Sequence, residues 1–281
     1  MSAEPAVPLD DSIRIPTLPG SVSRIRDLLA RPDGNVADLA EAFLADPPLT
    51  AKVLRIANSA FYGRREKTIN VSTALAYLGT RTLSMIVLRA GVFSAFDRFG
   101  ERERAAVEGI WRHSILTGQV CEDLAARVRR RATDWTEKDH HACGLLHDVG
   151  KIVLFDNFGE TYGELLRAAS SRGETLEQAE QAKLGMRHSE VGHMAATFWG
   201  IPEPIPSMIR HLHRRAVPHD CLDVTLAVRA ADEIANAVER NPAGDLKSIR
   251  STLETTLPGM QDAALAEVIR LAQGHLKRIE P

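Results

Sequence analysis

Residues 145–151 read LLHDVGK. The apolar pair Leu145–Leu146 continues a helical pattern, yet His147 and Asp148 follow at once and Lys151 comes one turn later. A buried carboxylate is costly unless a cation or hydrogen-bond donors accompany it. An imidazole, a carboxylate and an ammonium on a core-facing segment therefore read either as the centre of a metal site or as the shell around one. Lys151 lies four residues after His147 and three after Asp148, within reach of the carboxylate or of a bound anion.

Working outward, the flanking stretch TEKDHHACGLLHDVGKIVLF reads as one helical segment. Upstream, the helix AAVEGIWRHSILTGQVCEDLAARV sets His113 in the stripe Ile110, His113, Thr117, Val120 and Leu124. Downstream, His188 opens a helix with Val191, Ala195 and Phe198 inward, and Gly192 there would admit a close helix contact. His211 and His213 sit on a short helix after the turn IPEPIP, and Asp232 is embedded in LAVRAADEIANAV. One such residue alone is most simply a hydrogen-bonded core group. Six of them, His113, His147, Asp148, His188, His211 and Asp232, all on helices with an apolar face, point to a shared site. Imidazole and carboxylate ligands from separate helices, with no thiolate nearby, suit iron, manganese, magnesium or zinc rather than a cysteine-type structural zinc. His140, His141, His193, His219 and His275 lack that context and read as surface or packing residues.

The 281 residues suffice for one large domain or two smaller ones, with 44% hydrophobic and 26% charged residues. A formal net charge of −2 gives no global bias toward nucleic acid or anionic membranes. No basic stripe with interleaved aromatics and no recognition helix is present, so nucleic acid is not an expected partner. Arg127, Arg129, Arg130 and Arg131 form a local cluster that suits a helix C-terminus. Cys121, Cys143 and Cys221 are odd in number and far apart, which argues for buried thiols in a reducing compartment. No apolar run reaches the roughly 18 residues of a membrane span, and the N-terminus lacks a signal pattern. The cytoplasm is the expected location.

Helical periodicity persists nearly throughout, and no strand alternation stands out. Residues 1–11 read as a flexible tail. Over 12–97 several short helices form a first lobe. GSVSRIRDLLARPDG turns Val22, Ile25, Leu28 and Leu29 inward. NVADLAEAFLADPP has Asn35 as N-cap, with Leu39, Phe43 and Leu44 inward. LTAKVLRIANSAFYG does the same with Leu49, Val53, Ile56 and Ala57, and Gly79 separates two further helices. The charged stretch DRFGERERAAVE marks a boundary, after which 98–281 form a second helical lobe. The expected fold class is all-α, with two helical lobes.

The order His113, then His147–Asp148, then Asp232 resembles the HD superfamily of metal-dependent phosphohydrolases. The stretches LPGSVSRIRDLL, FLADPPLTAKVLRIANSAFYG, VSTALAYLGTRTLSMIVL, WRHS and GLLHDVGKIVL together resemble the HDOD family, the HD-related output domains of bacterial signalling proteins. The similarity runs from about residue 16 to 215, and DPPLTAKVLRIANSAFYG is its most specific part. It implies an N-terminal multi-helix lobe packed on a lobe like an HD phosphohydrolase. It also implies a signal-transduction module that acts mainly by protein–protein interaction, with a metal-binding pocket of little or no catalytic activity. Partners would be signalling proteins, such as those with GGDEF, EAL or receiver domains, in networks linked to cyclic-di-GMP.

The same resemblance fills the superfamily's ligand positions. His113 would be the first histidine ligand, His147 and Asp148 the central pair and Asp232 the last carboxylate of a site for one or two divalent ions. Lys151 matches the lysine of the HDxGK motif in related HD-GYP phosphodiesterases, and His188 and His211 resemble their additional metal-binding histidines. These matches imply the alternative function, a metal-dependent phosphohydrolase or phosphodiesterase acting on a nucleotide or cyclic dinucleotide, with Asp148 and Lys151 in catalytic roles. The sequence departs from that pattern in three places. The GYP signature is absent, Leu212 splits the histidine pair, and Gly109 stands where a further carboxylate would be expected.

Overall fold

The computed structural model describes residues 7–10, 13–16, 20–29, 31, 35–46, 49–50, 53–54, 57, 68–79, 83, 86–87, 101–127, 137–172, 174–242, 250, 253 and 260–279. The chain divides into two compact units, Met1–Pro8 with Pro16–Arg98 and Leu9–Ile15 with Phe99–Pro281. Both are built from helices.

In the first unit, α1 (Gly20–Leu29) buries Val22 and Ile25. Helix α2 (Val36–Leu44) begins where Asn35 accepts the Ala37 N–H on its side-chain oxygen at 2.9 Å, as an N-cap should. It buries Leu39, Ala40, Ala42 and Phe43, but Leu44, expected inward, is 61% exposed. Phe43 takes the inward position in the last turn, and its neighbour points about 100° away. Asp46 then ties two segments together, accepting from Ser21 Oγ at 2.7 Å and from Leu49 N at 3.0 Å. Leu49, Val53 and Ala57 are buried at helical spacing. Helix α3 (71–79) buries Val71, Ala74, Leu75 and Leu78 and ends at Gly79 with φ 73°. Ile56 lies outside the described residues, as do Arg129, Arg130 and Arg131.

Strand pairing occurs near the N-terminus, where the sequence suggests a tail over 1–11 and a helical lobe from residue 12. Val7–Asp10 (β1) and Ile13–Ile15 (β2) form a two-stranded ribbon. Ile13 and Ile15 are buried, and the Arg14 backbone exchanges two 2.8 Å hydrogen bonds with the side-chain amide of Asn157. Three alternating residues are too short a run for periodicity to register against a helical background. The helices that follow are α4 (Glu101–Arg127), α5 (Glu137–Leu146), α6 (Val149–Phe158), α7 (Glu160–Arg172), α8 (Leu176–Leu184), α9 (His188–Phe198), α10 (Ile205–His211), α11 (Leu222–Arg240) and α12 (Asp262–Ile279). Helix α4 is the spine, packed against α5, α11 and α12, while α6 lies on α9 and α9 on α10. The cysteines are free and buried. No helix among the described residues is long and apolar enough to cross a membrane.

The segment around LLHDVGK is two helices rather than one. Helix α5 ends at Leu146 and α6 starts at Val149, with His147 and Asp148 in the turn between them. Asp148 has φ −106° and ψ 12°, and its side chain makes no capping bond. On a continuous helix the two side chains would diverge by about 100°. The break lets both turn inward, and they are 1% and 2% exposed.

Two glycine contacts hold this turn from either side. A Cβ on Gly144 would lie 2.8 Å from the Gly118 Cα and 2.8 Å from the Thr117 carbonyl oxygen, so α5 and α4 touch backbone to backbone. A Cβ on Gly150 would collide with the His188 carbonyl and lie 2.6 Å from the Gly192 nitrogen, so α6 and α9 do the same. Gly150→Ala is expected to destabilise the protein by about 3 kcal/mol, because the obstacle is main chain that cannot rotate away. Gly274→Ala, at a helical position with nothing within 4 Å of the added carbon, is expected to stabilise it by roughly 0.5–1 kcal/mol. Urea unfolding of both variants checks the contrast.

Candidate metal centre

The helix crossing at Gly118–Gly144 brings His113 on α4 within reach of His147, and their ring centroids lie 5.4 Å apart. Asp232 on α11 completes a first group. Its Oδ1 is 2.9 Å from His113 Nε2 and 3.8 Å from His147 Nε2. The ligand atoms of His113, His147 and Asp232 all lie within 4.8 Å of one another. His147 donates Nδ1–H to the Gly144 carbonyl at 2.6 Å, which turns Nε2 toward the group. His113 Nδ1 faces Glu239 Oε2 at 2.9 Å, and Asn236 donates to Asp232 Oδ1 at 2.7 Å.

The crossing at Gly150–Gly192 builds a second group from Asp148, His188 and His213, again within 4.8 Å of one another. His188 Nε2 is 3.7 Å from Asp148 Oδ1 and 3.1 Å from His213 Nε2. Two ring nitrogens that face each other so closely need a proton or a cation between them. On its other side, His188 Nδ1 meets the fully buried Glu180 carboxylate at 2.8 Å. Glu180 also accepts the Tyr162 hydroxyl at 2.6 Å and the His188 backbone N–H at 2.8 Å. Lys151 Nζ lies 2.5 Å from Asp148 Oδ2.

The structure brings together five of the six residues singled out in the sequence. The sixth, His211, is placed elsewhere. It ends α10 and donates Nδ1–H to the Ser207 carbonyl at 2.8 Å, and His213 stands beside His188 instead. The chain leaves the helix after His211, so a residue two positions on can face the other way. Arg229 on α11 fixes that exit, with its guanidinium on the carbonyls of His211 at 2.8 Å, Leu212 at 2.5 Å and Arg214. Glu180, Glu239 and Tyr162 escaped the sequence reading. Glu239 stood two turns after Asp232 on one face of α11, a spacing that marks it. Glu180 sits among Glu and Gln in LEQAEQAKL and gave no signal.

The electrostatics favour cation binding. Burial would raise the Asp148 carboxyl, but His147, Lys151 and His188 hold it well below the usual carboxylate range. Burial would likewise raise Asp232, and the hydrogen bond with His113 brings it down to about 2. Burial would lower His113, but its contacts with Asp232 and Glu239 raise it to about 10. Partial removal from water, then the neighbouring His188, push His213 down to about 4. Each group contains one buried acceptor without a hydrogen-bond partner, His147 Nε2 in the first and Asp148 Oδ1 in the second. The 3.2 Å between His147 Nε2 and Asp148 Oδ2 is too poorly aligned to be a hydrogen bond. Orphaned acceptors among imidazoles and carboxylates are what a divalent ion satisfies. A pocket of about 270 Å³, lined by Leu212, His213, Arg214, Arg229, Asp232 and Glu233 with Arg215, opens onto one residue of each group.

Comparison with known proteins bears on the family and the fold. A sequence profile of the HDOD domain matches residues 15–215. The fold is similar to that of an HDOD domain protein of unknown function from Geobacter sulfurreducens, at 24% identity and a TM-score of 0.68, covering 95% of this chain and 93% of that one. It is also similar to a Shewanella amazonensis SB2B protein named "Putative phosphohydrolase", at 22% identity and a TM-score of 0.72, covering 94% of each chain. These identities speak for the fold alone. A curated relative, an uncharacterized protein of Treponema pallidum (strain Nichols), is 25% identical over 219 residues, 78% of this chain. The chain spans 40% of that relative's length.

The raised His113 gives a pH dependence with a definite sign. Its contribution to the stability of the chelated protein is complete below about 6.5, the ordinary value, and is lost as pH rises through about 10. Denaturant unfolding of the EDTA-treated protein is expected to show stability declining over that window, and His113→Asn is expected to flatten the decline. An unchanged slope in the variant would contradict the placement of His113 between two carboxylates.

Proposed function

The chain belongs to the HDOD family, and from that premise we propose that it is a bacterial signal-transduction module whose HD-type pocket holds divalent metal and whose output is contact with other signalling proteins. The observation that carries the metal half of this reading is the pair of orphaned buried acceptors, His147 Nε2 and Asp148 Oδ1, one in each ligand group. Histidines 113, 147 and 188 have Nδ1 engaged by a carbonyl or carboxylate, which aims Nε2 at the centre. Imidazoles combined with Asp148 and Asp232 suit iron, manganese or zinc better than magnesium. One or two ions fit the two groups.

The interaction half is supported by the first unit. The large hydrophobic side chains exposed among the described residues are Val36, Leu44, Ile69 and Tyr77, all in that unit, and Ile69 is 93% exposed. Proteins with GGDEF, EAL or receiver domains in cyclic-di-GMP networks, in the cytoplasm, are the partners we propose.

A second reading, a metal-dependent phosphohydrolase acting on a nucleotide or cyclic dinucleotide, is favoured by the arginine-rimmed pocket that opens onto Asp232 and His213. A bound divalent ion would supply Lewis acidity toward a phosphoryl oxygen. In that reading Asp232 and His213 meet the ligand at the pocket floor. Arg215, which makes no hydrogen bond or ion pair with a described residue, offers its guanidinium to the phosphate. Lys151 keeps Asp148 ionised and fixed.

Elemental analysis of protein purified without added metal is expected to find at least one transition ion per chain, reduced severalfold in His147→Ala. Substoichiometric metal that is unchanged by the substitution would sink the metal reading. Incubation with Mn²⁺ or Fe²⁺ and a panel of phosphomonoesters, nucleotides and cyclic dinucleotides is expected to give no turnover above background. Turnover that disappears in Asp148→Asn would instead establish the second reading.

A further inference from the structure

No described residue of helices α7 and α8 belongs to either ligand group, yet α8 delivers Glu180 to the back of His188. The carboxylate is fully buried and close to three donors, the Tyr162 hydroxyl, the His188 backbone N–H and His188 Nδ1. Tyr162 is itself wedged edge-on against Phe155 of α6, with centroids 6.3 Å apart at 81°. An ionised carboxylate only accepts, so the ring nitrogen that faces it must carry the hydrogen. The other nitrogen, Nε2, is then left with its lone pair aimed at Asp148 and His213. The N-cap residue Arg187 makes no side-chain cap, so Glu180 also takes an orphan N–H of α9.

Building on the metal reading, we propose that Glu180 is a positioning residue that locks His188 in its Nδ1–H form and thereby sets the affinity of the second group, Asp148–His188–His213, for its ion. The first group takes its orientation from Glu239 and the Gly144 carbonyl instead, so the two groups respond separately. The alternative is that Glu180 does no more than cap α9 and satisfy Tyr162. Glu180→Gln separates these roles. The backbone N–H and Nδ1 both meet Oε2 at 2.8 Å, and Nδ1 is 3.0 Å from Oε1. An amide oxygen kept at the Oε2 position puts the NH₂ at the Oε1 position, where it can only donate toward Nδ1 and shifts the balance toward the Nε2–H tautomer.

Two measurements test this in the full chain. Long-range ¹H–¹⁵N NMR of the histidine rings, with His188 assigned through His188→Asn, is expected to show Nδ1–H at His188 in the chelated wild type and a shift toward Nε2–H in Glu180→Gln. Titration with Mn²⁺ is expected to show the weaker-affected site unchanged within about twofold and the second site weakened roughly ten- to a hundredfold. Tyr162→Phe, which keeps the charge but removes one of its donors, is expected to weaken the second site a few-fold and serves if Glu180→Gln does not fold. An unshifted tautomer with unchanged Mn²⁺ affinity in these variants would overturn the proposal and leave Glu180 a helix cap. A wild-type protein that takes up no Mn²⁺ would refute the metal reading itself, and the tautomer shift alone would then decide for or against the lock.

Discussion

Backbone contact at two glycine pairs is the constraint on which the rest of the site depends. Gly144 and Gly150 stand on either side of His147–Asp148, and each marks a place where two helices meet without a side chain between them. The first contact brings α5 to α4, and His113, just over one turn before Gly118, is thereby carried to His147. The second brings α6 to α9, and His188, one turn before Gly192, is carried to Asp148. Helices separated by ordinary side chains sit 8–10 Å apart, which is too far for short imidazole and carboxylate groups to converge. The ligand set is thus a by-product of close packing at positions that are themselves chemically inert.

A core that holds Asp148, His147, His188 and Glu180 at near-zero exposure is expensive to desolvate. The molecule offsets this cost by giving most of the polar atoms fixed partners. Lys151 neutralises Asp148, His113 lies between Asp232 and Glu239, and Tyr162 supports Glu180. Among the buried atoms left over, His147 Nε2 and Asp148 Oδ1 lie one in each ligand group. Such a network is rigid when complete, and the gaps at His147 Nε2 and Asp148 Oδ1 mark where a cation is favoured.

Much of this was legible in the chain. Helical periodicity supplied the all-α class, Asn35 announced its own N-cap, and the apolar stripe through Thr117 and Val120 told that His113 faces inward. Gly192 declared a close contact. The misses have local causes. Periodicity runs unbroken through LLHDVGK because a two-residue turn does not disturb it, so the helix break was hidden. His211 and His213 differ only in which side of a helix end they occupy, and that is decided by the Arg229 guanidinium from a distant helix. Glu180 lies in a stretch whose composition is that of a solvated surface, and only the fold of α7 and α8 turns it inward. The pairing of β1 with β2 rests on a run too short to carry a period.

Arg229 and Asp232 lie three residues apart on α11, and so on one face of one helix. Asp232 belongs to the first ligand group, while Arg229 grips the carbonyls that precede and follow His213 of the second. The gap between the two groups is therefore gauged by a single rod. A chain with every ligand intact but a shorter cation at 229 would keep both half-sites and lose the ruler that spaces them.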